Sequence, residues 1–207
     1  TLMMVLLFSP GVSLHLLQPG SLIALKRVCH TRRRTELHSP RSFRWNYLPM
    51  PETPASIQKV KAAVASCFDS ALQLHQAGED PFKVVGSHAA GIDAILSELF
   101  AREFPGRQEV ALVAVGGYGR RELCPFSDLD ILILRESESI DPDIQRFVTL
   151  LWDCGFDLGH SVRTLRECYE YMVDNPITGA TLMESCLVAG DRGLYERFES
   201  EVVQRYR

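Results

Sequence analysis

Two aspartates two positions apart, Asp128 and Asp130, stand at the head of the apolar run ILIL, and a glycine cluster, Gly116-Gly117-Tyr118-Gly119, follows the apolar run VALVAV. Residues two apart on a strand project from the same face, so the two carboxylates lie side by side. They repel one another, and keeping both ionised in a half-buried place calls for a cation between them. Mg2+ suits that role, because it takes oxygen ligands and leaves positions for substrate phosphates. The glycines form a turn whose backbone a ligand can approach closely, and a helix starting near Arg120 would aim its free N–H groups at a phosphate. Arg120 and Arg121 offer charge-assisted contacts to phosphate oxygens, and Ser127 fixes the turn into the strand. The expected site is therefore Asp128 and Asp130 as catalytic and metal-binding residues, with Gly116, Gly117, Gly119, Arg120 and Ser127 on the nucleotide. Nucleotidyl transfer uses this arrangement, with carboxylates on the metal and the metal on the α-phosphate and the attacking hydroxyl.

Such a site needs a sheet. Val110–Val115 is apolar at nearly every position, as expected of a central strand covered on both faces. Before it, Ile57, Val60, Val64, Cys67, Phe68, Ala71, Leu72 and Leu74 recur near a 3.6-residue period and Gly78 marks a stop, which predicts a helix. A second helix is predicted from about Val84 to Phe104, ended by Pro105-Gly106. Asp141-Pro142 opens a third, with Ile144, Phe147, Val148, Leu150 and Leu151 on one side. FDLGHSVRT reads as another strand, and three helices are expected to complete the chain, separated near Asn175-Pro176 and Gly190-Asp191.

With 207 residues, 46% of them hydrophobic, the chain is long enough for one substantial domain with a buried core. The six cysteines show no C-x-x-C spacing, so neither zinc nor a disulfide framework is signalled, and a cytoplasmic protein with reduced thiols is the expectation. Residues 1–50 carry seven Lys and Arg against the single acid Glu36, which leaves about −10 on residues 51–207. That acidic remainder argues against nucleic acid as a partner. The apolar runs near the start fall well short of the roughly 20 residues a membrane span needs, so no membrane is expected either. Residues 1–50 are expected to be an extension, disordered or artefactual, with a targeting leader and a basic arm as alternatives. Residues 51–207 are expected to form the catalytic domain.

The text GGYGRRELCPFSDLDILIL resembles the signature of the DNA polymerase β-type nucleotidyltransferase superfamily, in the form found in the bacterial PII uridylyltransferase/uridylyl-removing enzymes. The likeness continues through LLWDCGFDLGHSVRTLREC and ATLMESCLVAGDRGLYERF and covers about residues 57–200. It implies an α/β domain in which a small mixed sheet is flanked by helices. It also implies transfer of UMP from UTP to a tyrosine of a PII-type signalling protein, with release of pyrophosphate. In that family the transferase segment is followed by an HD phosphohydrolase domain and ACT domains. Two other readings fit the same residues: a transferase using another nucleoside triphosphate or acceptor, and a non-catalytic nucleotide-binding module. The superfamily commonly adds a third carboxylate from a neighbouring strand, where this chain has Ser161; Asp157 shares its face four residues away, and the third ligand stays open. His160 is expected to be structural or to touch nucleotide, and Arg163 to meet triphosphate or an acid. His88, Asp93 and Trp152 read as packing or surface, and Glu184 as an arginine partner or a site residue.

Overall fold

The computed structural model describes residues 54–139 and 141–206; the expectation for residues 1–50 lies outside them. Two long helices come first, α1 (Pro54–Gln76) and α2 (Pro81–Glu103). Gly78 lies between them with φ of 76°, and Asp80 caps α2 by accepting from the N–H groups of Phe82 and Lys83 at 2.9 and 3.2 Å, with Pro81 as the first helical residue. Strand β1 (Val110–Val115) leads through the single turn α3 (Gly116–Gly119) and a loop to β2 (Leu129–Arg135). Helix α4 (Pro142–Asp153), strand β3 (Leu158–Arg163) and helix α5 (Leu165–Asp174) follow. Two short helical turns, α6 (Pro176–Gly179) and a 3-10 turn at Ala180–Met183, lead into β4 (Ser185–Gly190). The described chain ends in α7 (Arg192–Arg197), a π-helical turn Phe198–Val203 and α8 (Gln204–Tyr206).

The sheet runs β3-β2-β1-β4. β1 is antiparallel to β2 and to β4, and β2 is parallel to β3, so the sheet is small and mixed as expected. Both faces are covered. On one, Val110, Leu112, Ala114, Ile131 and Ile133 pack against α2, α4 and the inner side of α1. Here Phe100, Phe104 and Phe147 meet with ring centroids 4.6 to 5.6 Å apart, each such pair adding about 0.5–1.5 kcal/mol beyond its buried area. On the other face Ala111, Val113, Leu132 and Leu134 meet Cys168 and Met172 of α5 and Leu194 and Phe198 near the chain's end. Helix α2 is long and apolar enough to cross a membrane by length and composition, and its apolar side, from Ala89 to Phe100, is core beneath the sheet.

Two expectations need correction. The middle of the three C-terminal helices does not form: its second half is β4, pairing with β1 from Val115↔Ser185 to Ala111↔Gly190. That pairing covers the edge of β1, an edge that would otherwise present unpaired N–H and C=O groups. The helix expected to begin near Arg120 is instead the glycine turn itself. Arg120 N–H donates back to the Gly116 carbonyl at 3.0 Å, and Arg121, with φ of 66°, ends the turn.

None of the five described cysteines is in a disulfide. His88 of α2 is only 6% exposed, and its Nδ1 has no hydrogen-bond partner among the described residues. Burial pushes its pKa below 6.5, against a hydrogen bond to the Cys67 backbone that works the other way. A histidine held neutral in the fold contributes stability that is intact above pH 6.5 and is lost as the pH falls through that value towards the folded pKa. The parent chain should therefore lose melting temperature between pH 7.5 and 5, and His88→Leu should lose less over the same interval. Parallel curves for the two chains would show that the loss originates elsewhere.

Candidate active site

The site is built at the end of the sheet where β1 exits into α3 and β2 begins. Asp128 precedes the first residue of β2, and Asp130 is its second, sharing a face with Leu132 and Leu134 by strand alternation. Both aspartates reach solvent, but the Asp130 carboxyl is partly desolvated, with Oδ1 lying against Gly159. Ser127 sets their approach: its N–H and its hydroxyl both donate to the Cys124 carbonyl, at 3.0 and 2.9 Å, closing the turn that leads into the pair.

The glycine turn arrives beside them. Gly116 has φ of 60°, a left-handed backbone that favours glycine, and a Cβ built on it would stand 3.9 Å from Asp130 Oδ2 and 4.0 Å from Thr181 Cβ. The glycine turn and the aspartate pair thus meet in space. Gly117 differs from its neighbour, since a Cβ there would be in ordinary contact only, 3.8 Å from Arg120 Nη2 and from the Glu122 carbonyl. Gly119 packs against protein: a Cβ on it would overlap the Glu184 carbonyl oxygen and stand 2.8 Å from that carbon and 3.0 Å from the Ala114 carbonyl oxygen.

The electrostatics are uneven. Partial burial raises the Asp130 carboxyl above its ordinary pKa, and the charge of Asp128 adds to the rise. A crowded carboxylate pair is a donor set suited to a hard divalent cation. Among the described residues no three His, Cys, Asp or Glu side chains gather as a metal site. The Asp157 backbone carbonyl accepts at 2.8 Å from the N–H of Leu129, which lies between the two aspartates in sequence.

Several candidates sit where the sequence did not place them. Arg120 is spanned by two acids: its Nε donates to Glu122 at 2.9 Å, and its Nη1 pairs with Glu184, which settles the open reading of Glu184 as an arginine partner. Arg121 pairs with Asp93. Asp93 also accepts from the hydroxyl of Tyr118 at 2.6 Å, so it braces the glycine turn rather than lying on plain surface. Tyr118, missed by the sequence reading, is buried at 2% exposure, and burial pushes its phenol pKa well up. A tyrosine between glycines in a turn was the signal available. His160 is paired with Ile131 and packs edge-on to exposed Trp152 at 5.3 Å, on the sheet face opposite Asp130. Arg163 stacks its guanidinium 3.9 Å above the Tyr171 ring, and its buried Nε has no hydrogen-bond partner among the described residues.

No protein-family model matches the chain. The chain is similar to bifunctional uridylyltransferase/uridylyl-removing enzymes from several bacteria. It is 40% identical to the enzyme of Haemophilus influenzae over 60% of its own length and 15% of the relative's. For Nitrosospira multiformis the identity is 34%, over 70% of this chain and 17% of the relative. For Pseudomonas putida it is 40%, over 67% and 17%. The chain thus spans about a sixth of the length of the curated relatives it matches.

Proposed function

We propose, for a chain that belongs to the family of the bifunctional uridylyltransferase/uridylyl-removing enzymes, that it transfers UMP from UTP to a tyrosine hydroxyl of a PII-type regulatory protein. The observation that carries the proposal is the convergence of Gly116 with Asp130, which brings a glycine turn and a carboxylate pair to one sheet end. The acceptor oxygen attacks the α-phosphorus, an O–P bond forms, the bond to the β-phosphate's bridging oxygen breaks, and pyrophosphate leaves. The acceptor's proton passes to one carboxylate of the pair or to water. Mg2+, held by Asp128 and Asp130, would supply charge stabilisation for the phosphates. Gly117 supports a closely approaching ligand, since nothing in the described chain itself requires glycine there. Arg120 and Arg121, both paired with acids, would serve the phosphates only by exchanging those partners. A bacterial cytoplasmic location, with neither nucleic acid nor membrane as partner, belongs to the same reading.

Calorimetry of UTP binding with Mg2+ and with EDTA tests the metal role, and tight binding only with Mg2+ is the expected result. Equal affinity in EDTA would remove the metal from the proposal. Incorporation of labelled UMP into a PII-type protein tests the reaction. A chain that binds nucleotide yet transfers none, with any base, would be a nucleotide-binding module instead.

A further inference from the structure

Strand β3 adds no carboxylate to the pair, and its contribution is an empty position. Asp130 lies directly across from Gly159 in the parallel register of β2 and β3. A Cβ on Gly159 would overlap Asp130 Oδ1 and stand 3.3 Å from its Cγ. The other oxygen, Oδ2, is the one turned towards Gly116. One carboxylate is therefore bracketed by two glycines on separate elements, lying down on one and facing the other.

We infer that Gly159 is a positioning residue for the nucleotidyl-transfer site: by lacking a side chain it seats Asp130 against β3 and aims Oδ2 at the glycine turn. The inference rests on the proposed function for what the seated carboxylate does, and on geometry alone for the seating. The backbone does not call for glycine. Gly159 is absent from the left-handed residues of this chain and sits inside a regular strand, where glycine is ordinarily the weaker choice. The three heavy atoms nearest to a built Cβ are all of Asp130: Oδ1, Cγ and Cα. The first obstacle a side chain at 159 meets is thus the carboxylate that the proposed chemistry needs. The flexible end of the Asp130 side chain gives way, so the carboxylate leaves its seat on β3 and Oδ2 no longer holds its place beside the turn.

The test compares the parent chain with Gly159→Ala, Asp130→Ala and the double variant, all as the full chain. Two readouts independent of transfer are taken: the side-chain χ1 of Asp130 from three-bond NMR couplings, and Mn2+ affinity followed by the EPR signal of the free ion. In Gly159→Ala the Asp130 rotamer should change and Mn2+ affinity should fall at least tenfold, with a matching loss in kcat and little change in the circular dichroism spectrum. An unchanged rotamer, or Mn2+ affinity within twofold of the parent, overturns the inference. Should Gly159→Ala fail to fold, the double variant should fold, because Asp130→Ala removes the overlapping atoms; a double variant that also fails overturns it. A parent chain with no affinity for Mn2+ would sink the proposed function while the rotamer comparison still decides the seating.

Discussion

Replacing Asp128 or Asp130 with Asn is expected to cut UMP transfer by about a hundredfold or more while leaving the fold intact. Asn keeps the size and one oxygen but loses the negative charge, and the charge is what a divalent cation beside the triphosphate depends on. Several kcal/mol of transition-state stabilisation goes with it, each ~1.4 kcal/mol being about tenfold in rate. Stability moves the other way at position 130. The Asp130 carboxyl is raised above its ordinary value by partial burial and then by Asp128, so the folded state disfavours its ionised form. That penalty is present at neutral pH and vanishes once the pH falls below 3.8, where the carboxyl is protonated folded or unfolded. Asp130→Asn should therefore melt at or slightly above the parent at pH 7, and the gain should be absent in acid. Labelled-UMP incorporation and thermal melts of each variant measure both effects. Near-parental transfer by both variants would make the aspartates structural and the proposed mechanism wrong.

Gly119→Ala is expected to lose stability where Gly117→Ala does not, although both sit in one glycine turn. At 119 the new methyl overlaps the Glu184 carbonyl oxygen and crowds that of Ala114. Both obstacles are backbone and have no rotamer to adopt. Overpacking of this kind costs about 1–3 kcal/mol and sometimes more. With backbone on two sides the upper end applies, which for a domain of this size lowers the melting temperature by roughly 6–12 °C. At 117 the methyl meets only ordinary contacts at 3.8 Å, so the melt should match the parent while UTP affinity, read by calorimetry, falls. A Gly117→Ala chain that binds UTP as tightly as the parent would remove that glycine from the nucleotide site.

The difference between these two glycines was not written in the sequence, which assigned Gly116, Gly117 and Gly119 to the nucleotide alike. What could be read was local: the apolar runs of β1 and β2, the period of α1 and α2, and the placing of Asp128 and Asp130 at a strand's head. These follow from spacing within one segment. Residues that depend on a distant partner stayed hidden. SCLVAG becomes β4 although serine, alanine and glycine are poor strand formers, because β1 has an edge to cover and pairing outweighs propensity. Asp93 read only as packing or surface because its partners, Tyr118 and Arg121, lie more than 20 residues on. Glu184 was undecidable for the same reason, being tied to Arg120.

Arg120 and Glu184 stand 64 positions apart, so on the ribosome the glycine turn is made well before the acid that pairs with it. When Asp130 has emerged, every residue of the glycine and aspartate motifs has been synthesised, yet β1 still has an open edge and Gly119 has nothing to rest against. Contacts between distant segments form late, after the chain entropy of closing the loop has been met. A nascent chain therefore carries the glycine and aspartate motifs before it carries Glu184, on which Gly119 rests, and Ser185–Gly190, which covers β1.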